Sequence, residues 1–248
     1  MKELSTAEAI RYNRQIVIPG FDLNKQEMLM SKSALIIGAG GLGCSAAQFL
    51  CASGVGNMTL MDNDTVALSN LQRQILHFET NVGQLKVASA AETLHNINSA
   101  VSINAIAQQA DEQTLGIQVP AHDIVLDCSD NLSTRKLVNE LAYRFNKPLV
   151  SGAAIRMEGQ IFCTDPRAKT ACYACVSRFF GELNLSCVES GVMSPVVGII
   201  GASQALEAIK ILTEFGQPAI NRLQMYDAMT STWQTFSVNK HAQCKVCS

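Results

Sequence analysis

Two Cys-x-x-Cys pairs, Cys172/Cys175 and Cys244/Cys247, are the residues whose spacing most plainly suits a chemistry. Together they supply four thiolates, the number a tetrahedral zinc ion takes. The pairs are separated by 68 residues, far more than the local spacing of a zinc ribbon, so the fold must bring them together. The expectation is a structural zinc site that ties down the C-terminal tail. A redox Cys-x-x-Cys is the rival, and it would leave one pair idle. A second constellation is Gly38-Ala39-Gly40-Gly41-Leu42-Gly43, a G-x-G-x-x-G turn. Gly38, Gly40 and Gly43 supply a tight turn, close approach to phosphate and close helix–strand packing. Asp62 lies 24 residues after Gly38, where such folds place an acid on ribose hydroxyls. Asn70, Arg73 and Gln74 follow, then Lys86. Cleaving a triphosphate needs cations for charge that builds on the leaving pyrophosphate, and hydride transfer does not. Arg73 and Lys86 suit that work; otherwise they are ordinary solvated surface cations.

These groups need elements to hold them. Leu35–Ile37 reads as a buried strand, Cys44–Ala52 as a helix and Met58–Met61 as a second strand, the opening of a nucleotide-binding βαβ unit. The glycine pattern by itself does not separate a dinucleotide from ATP. Helices are expected over Val82–Asn96 and Leu132–Phe145, and strands over Val101–Ile106, Ile124–Leu126 and Pro148–Ser151. Asp127 to Asn131 follows Ile124–Leu126, at the carboxyl edge where open α/β sheets bind ligands. Asp130 is therefore a candidate magnesium ligand, or the N-cap of the next helix. Past Ser151 the strict β-α-β alternation stops. Strands near 159–164, 222–226 and 232–238 have short connections, which implies a mixed or antiparallel continuation. The fold class is thus α/β: a Rossmann-like nucleotide-binding half continuing into a mixed or antiparallel sheet, with a structural zinc site.

The N-terminal arm, 1–31, is not needed to build that sheet. Ser5–Ile18 reads as one helix, capped by Ser5 with Glu8 as capping-box partner, and Leu23–Met30 as a second. Phe179–Ser194 reads as a mobile connection and carries Cys187, either a nucleophile or a small packing residue. His77, His95, His122 and His241 show no metal or triad spacing.

With 248 residues, 48% of them hydrophobic, the chain suits one large domain, 1–248. A formal net charge of −2 gives no basic field for nucleic acid. Val192–Leu212 is apolar but contains Ser194, Pro195, Ser203, Gln204, Glu207 and Lys210, so it reads as a buried helix and not a membrane span. No signal-peptide core follows Met1. A cytoplasmic location with reduced cysteines is expected.

The combined set resembles the ubiquitin-activating-enzyme-like superfamily, in its MoeB/ThiF branch. It comprises Arg14, the glycine turn, Asp62, Ser69–Gln74, Lys86, Asp127 to Asn131 and the two cysteine pairs. Within the branch, 151–160 and 225–230 look like the molybdopterin side and not the thiamine side. The resemblance implies ATP with Mg²⁺, one structural Zn²⁺ per chain, and a homodimer. It also implies adenylation of a small ubiquitin-like sulfur carrier ending in Gly-Gly, the molybdopterin-synthase small subunit, for molybdenum cofactor biosynthesis. Adenylation of the thiamine-pathway carrier is the alternative, and an NAD-dependent oxidoreductase a distant one. By resemblance, Gly41 lies against ATP and Asp62 holds the ribose. Asn70, Arg73, Gln74 and Lys86 contact ribose or phosphates, and Asp130, beside Asn131, is associated with magnesium. Arg14 reaches the ATP of the other subunit. Cys187 matches a loop cysteine that relatives use for a thioester or persulfide, which leaves room for a sulfur-donor protein as a second partner.

Overall fold

A computed structural model describes residues 3–180 and 191–248. Cys187 and most of the expected mobile connection lie outside the described residues. The described strands form one eight-stranded sheet, in the order β3-β2-β1-β4-β5-β6-β7-β8. They are β1 (Ser33–Ile37), β2 (Asn57–Met61), β3 (Ser102–Ile106), β4 (Ile124–Asp127), β5 (Leu149–Ile155), β6 (Glu158–Thr164), β7 (Arg222–Asp227) and β8 (Thr232–Ser237). The pairings from β3 to β5 are parallel, and those from β5 to β8 are antiparallel. The expected Rossmann-like half and its mixed continuation are both present.

The chain runs outward from β1 through β2 to β3, then returns to β4 on the other side of β1. Neighbouring strand ends therefore diverge between β1 and β4, the switch point where α/β sheets form a ligand crevice. Side-chain alternation divides the core. Ala34 and Ile36 point to one face, with Leu60, Leu126 and Val150. Leu35 and Ile37 point to the other, with Met61, Val125 and Leu149. The first face is covered by the helices α4 (Gly41–Ser53), α5 (Lys86–Ile97) and α9 (Ser194–Thr213). The second is covered by α6 (Glu112–Ala121) and α7 (Leu132–Arg144). The short α8 (Tyr173–Ser177) and the C-terminal tail form a third cluster around Phe162 and Leu223.

By length and composition, α9 could cross a membrane. It is instead a core helix, as its polar residues suggested. A Cβ on its Gly201 would lie 2.5 Å from the Leu42 carbonyl oxygen, so the glycine lets α9 lie directly on α4.

Three expectations need correction. Ser5–Ile18 is two helices, α1 (Thr6–Arg11) and α2 (Asn13–Ile16), followed by α3 (Asp22–Met30). The Ser5/Glu8 capping box is present. The break falls at Tyr12, whose buried hydroxyl accepts a hydrogen bond from Asn98 Nδ2 at 2.8 Å. The Val82–Asn96 helix begins only at Lys86, because Leu85 pairs with Thr65 in an antiparallel bridge. Helix α6 was not expected at all. Gly116 and Pro120 lie within it, and its stability comes from burying Leu115 and Val119 against β1 and β4.

Candidate nucleotide site and cysteine cluster

The glycine turn closes between the ends of β1 and β4. Gly38 has φ +97°, and a Cβ there would lie 2.8 Å from the Cys128 carbonyl oxygen. A Cβ on Gly43 would lie 1.8 Å from the Gly38 carbonyl oxygen. Both positions exclude any side chain. Gly40 is the N-cap of α4 and makes no side-chain capping bond, so the first N–H groups of a 13-residue helix face outward. Such a terminus carries partial positive charge and suits phosphate.

The Ala39 peptide is held on both sides. Its N–H donates to Asp62 Oδ2 at 2.7 Å. Its carbonyl oxygen lies 3.2 Å from His77 Nε2 and accepts from the Cys44 thiol at 3.4 Å. His77 Nδ1 lies 2.9 Å from Ser89 Oγ, so a neutral imidazole that donates to Ala39 fits both contacts. Burial, the largest influence, pulls the His77 pKa below its usual value. Asp62 Oδ1 also accepts from Asp64 N at 2.8 Å. Asp62 therefore fixes the turn, and a carboxylate retains acceptor capacity for a ribose hydroxyl.

Arg73 and Gln74 converge on the same helix start. The Arg73 Cγ lies 3.3 Å from where a Gly41 Cβ would be, and its Nη1 donates to Ser69 O at 3.3 Å. Asn70 Oδ1 accepts from Ala67 N at 3.0 Å and shapes the preceding turn. Gln74 is buried beside Gly40, and its Oε1 has no hydrogen-bond partner among the described residues. Such an orphan acceptor suits a site that a donor completes. Lys86 is only 6% exposed, and its Nζ lies 2.8 Å from Asp64 Oδ2. It is thus not a solvated surface cation, and Arg73 is half-buried. A cavity of about 660 Å³ opens beyond Asp62, between the ends of β2 and β3, lined by Asn63, Ala107, Gln108 and Thr114. Its size suits a nucleoside.

At the end of β4 the acids divide their work. Asp130 is exposed and is not the cap of α7. Asn131 is that cap, with its Oδ1 accepting from Thr134 N at 2.8 Å. The N-cap alternative for Asp130 is therefore wrong by one residue, and a metal ligand remains open to it. Asp127 is 1% exposed. It accepts from Ser129 Oγ at 2.6 Å and Ser151 Oγ at 2.9 Å, and pairs with Arg135 at 3.9 Å. Sequence reasoning did not single out Asp64, Arg135 or Ser151, and it noted His77 only as a histidine without metal or triad spacing. Only Asp127 carried a signal, as the last residue of an apolar strand.

Arg14 stands apart. It is exposed on α2, next to Gln15, whose Nε2 donates to Ser53 O at the far end of α4. At 1.5 Å per residue that end is about 20 Å from the glycine turn. The structure does not bring Arg14 to the other site residues of its own chain.

The two cysteine pairs do meet. Cys172 and Cys244 sulfurs are 3.6 Å apart, Cys175 and Cys247 sulfurs 3.5 Å, and all four lie within 4.8 Å of one another. Metal–sulfur bonds of 2.3 Å in a tetrahedron give edges of about 3.8 Å. All four residues are buried. Burial raises the Cys244 thiol pKa, but the N–H groups of Val246 and Cys247 together with the Cys247 and Cys172 thiols outweigh it and bring it to about 7, while burial pushes Cys172 up to about 11 and Cys247 higher still. The cluster thus has the donors and spacing of a tetrahedral metal site. Cys44, Cys51, Cys128 and Cys163 are also buried. Burial pushes Cys44 up to about 12 and Cys51 to about 11, so these thiols are packing residues and not nucleophiles.

Comparison with known proteins agrees with this geometry. The ThiF family matches residues 12–246. Molybdopterin-synthase adenylyltransferase of Escherichia coli strain K12 is 49% identical over 247 residues, covering 100% of this chain and 99% of that one. The sulfur carrier protein ThiS adenylyltransferase of the same organism is 36% identical, covering 98% and 97%. A crystal structure of E. coli MccB with ATP superposes with a TM-score of 0.80 at 25% identity, covering 90% of this chain and 69% of that one. The chain belongs to the ThiF family.

Proposed function

We propose that this protein uses ATP to adenylate the C-terminal glycine carboxylate of a small ubiquitin-like sulfur carrier. The carrier is the molybdopterin-synthase small subunit, and the pathway is molybdenum cofactor biosynthesis. One observation carries the reading: an uncapped helix start flanked by Arg73, in a chain 49% identical to a molybdopterin-synthase adenylyltransferase. Family membership and the cations favour adenylation over hydride transfer.

A glycine carboxylate is ionised at neutral pH, so no general base is required. Its oxygen attacks the α-phosphorus of ATP, the bond to the β-phosphate oxygen breaks, and pyrophosphate leaves with the electron pair. What the chain must supply is alignment and positive charge. The α4 N–H groups receive phosphate oxygens, and Arg73 and Lys86 offset the charge that moves to pyrophosphate. Asp62 and Asn70 hold the ribose, and Gln74 offers its orphan acceptor. Bound Mg²⁺ would be held by Asp130 and would screen the phosphates from the incoming carboxylate.

Zn²⁺ would be held by Cys172, Cys175, Cys244 and Cys247 as a structural ion. The exposed Arg14, next to Gln15 at the far end of α4 from its own glycine turn, supports a homodimer in which it serves the partner's nucleotide. The chain works as one adenylation domain, 1–248, in the cytoplasm, where buried reduced cysteines persist. Carrier choice is tested by incubating zinc-loaded protein with Mg·ATP and each carrier, then weighing the carriers by mass spectrometry. An AMP adduct on the molybdopterin carrier alone is expected. An adduct on the thiamine carrier alone would keep the chemistry and move the pathway.

A further inference from the structure

Helix α7 has one stripe, buried at Arg135 and Asn139 and half-buried at Tyr143, that joins the two sites. Arg135, Asn139 and Tyr143 stand at i, i+4 and i+8 on one face. At one end, Arg135 Nη1 pairs with Asp127 Oδ2 at 3.9 Å and lies 3.5 Å from Ser151 Oγ. Its Nη2 donates to the Ser129 carbonyl oxygen. In the middle, Asn139 Oδ1 accepts from Tyr173 N at 2.7 Å, inside the first Cys-x-x-Cys. Burial works against the Arg135 charge, and Asp127 and then the Tyr173 side chain support it. At the far end, the Tyr143 hydroxyl donates to Cys247 O at 3.4 Å. The stripe thus spans about 12 Å, from the turn that carries Asp130 to both cysteine pairs.

We propose that Arg135 and Asn139 are positioning residues through which metal occupancy of the cysteine cluster sets the geometry of the 127–131 turn, and so the affinity for Mg·ATP. Asp127 and Arg135 are buried charges, so neither can move without stranding the other. Arg135 also holds the Ser129 carbonyl, one residue before Asp130. Tyr173 acts on the same guanidinium, and Asn139 holds the Tyr173 backbone N–H inside the first cysteine pair. A purely structural metal would hold the tail and leave the nucleotide edge unchanged. The last part of the proposal, on Mg·ATP, rests on the adenylation reading.

The test compares zinc-loaded protein with chelator-treated protein by amide hydrogen exchange. The amides of 128–131 should exchange about fivefold faster without zinc, the scale of one lost hydrogen bond, while β1 stays unchanged. In zinc-loaded Asn139→Ala and Arg135→Lys proteins the same amides should be faster, with the metal retained. The KM for Mg·ATP should rise by a similar factor with kcat little changed. If chelation unfolds the chain, the two zinc-loaded variants decide alone. Unchanged exchange at 128–131 in both variants overturns the proposal. Zinc-sensitive exchange at 128–131 in a protein that never turns over ATP would support the brace and remove the adenylation reading.

Discussion

Alanine substitutions at Gly43 and Gly41 should separate fold from function within one turn. Alanine favours a helix interior over glycine by about 1 kcal/mol, so both changes would stabilise α4 if space allowed. At Gly43 it does not. The new Cβ would lie 1.8 Å from the Gly38 carbonyl oxygen, where ordinary van der Waals contact needs about 3.4 Å. That carbonyl belongs to the turn itself, so α4 must move away from β1 by more than an ångström. The cost should exceed the roughly 1–3 kcal/mol of ordinary overpacking. At about 2–4 °C per kcal/mol, a net 3 kcal/mol lowers Tm by about 6–12 °C. At Gly41 the close neighbour is the Val197 Cγ1 at 2.5 Å, a side-chain end that can rotate, with Arg73 at 3.3 Å. Gly41→Ala should therefore stay folded, with Tm within about 4 °C of wild type for a cost near 1 kcal/mol, yet lose ATP affinity by about tenfold or more as Arg73 and the phosphate approach are displaced. Scanning calorimetry and titration with ATP read both. Wild-type Tm in Gly43→Ala, or wild-type ATP affinity in Gly41→Ala, would refute the packing argument.

Cys244→Ser should lose stoichiometric metal and destabilise the tail, since it breaks a buried four-sulfur set; one tightly held zinc per chain in that variant, by metal analysis, would contradict the cluster assignment. Arg73→Ala should cost about 1 kcal/mol or less, because Arg73 is half-buried and its hydrogen bond to Ser69 O is long at 3.3 Å, while adenylate formation is lost; normal turnover would remove its role. Asp64→Asn should lower stability, because Lys86 is 6% exposed and loses its anionic partner; an unchanged urea midpoint would show that the pair contributes nothing. Burial, ahead of other influences, holds the His77 and His122 pKa values below 6.5. The unfolded chain then binds these protons more readily, so stability present above about pH 6.5 falls as pH drops toward the depressed folded values. That acid-side slope should flatten in His122→Gln, and an identical slope would rule His122 out.

Much of this site was legible because its signals are local. The glycine turn, the strand before it and the acid after β2 are short-range patterns, and they sit in the structure as read. The cysteine pairs were legible by chemistry alone, since no local pattern shows that residues 172 and 244 meet. What escaped depends on distant contacts. Tyr12 breaks the first helix because its hydroxyl meets Asn98, 86 residues away. Helix α6 carries Gly116 and Pro120, so propensity argues against it, and only its buried Leu115 and Val119 hold it. Lys86 read as a phosphate-site cation or a surface one, and no local pattern showed that it is buried against Asp64. Arg135 resembled any helix arginine, and only the sheet edge shows that it faces Asp127. Helix α7 starts at Leu132, as expected, so the cap falls on Asn131, the residue just before it, and not on Asp130.

The central claim is carrier-dependent activation of a carboxylate by ATP. Pyrophosphate exchange into ATP, measured on zinc-loaded protein with Mg²⁺, tests it most directly. Exchange should require the molybdopterin-synthase carrier and disappear when the carrier's terminal glycine is removed. Exchange that proceeds without any carrier, or none with either sulfur carrier, would contradict the account.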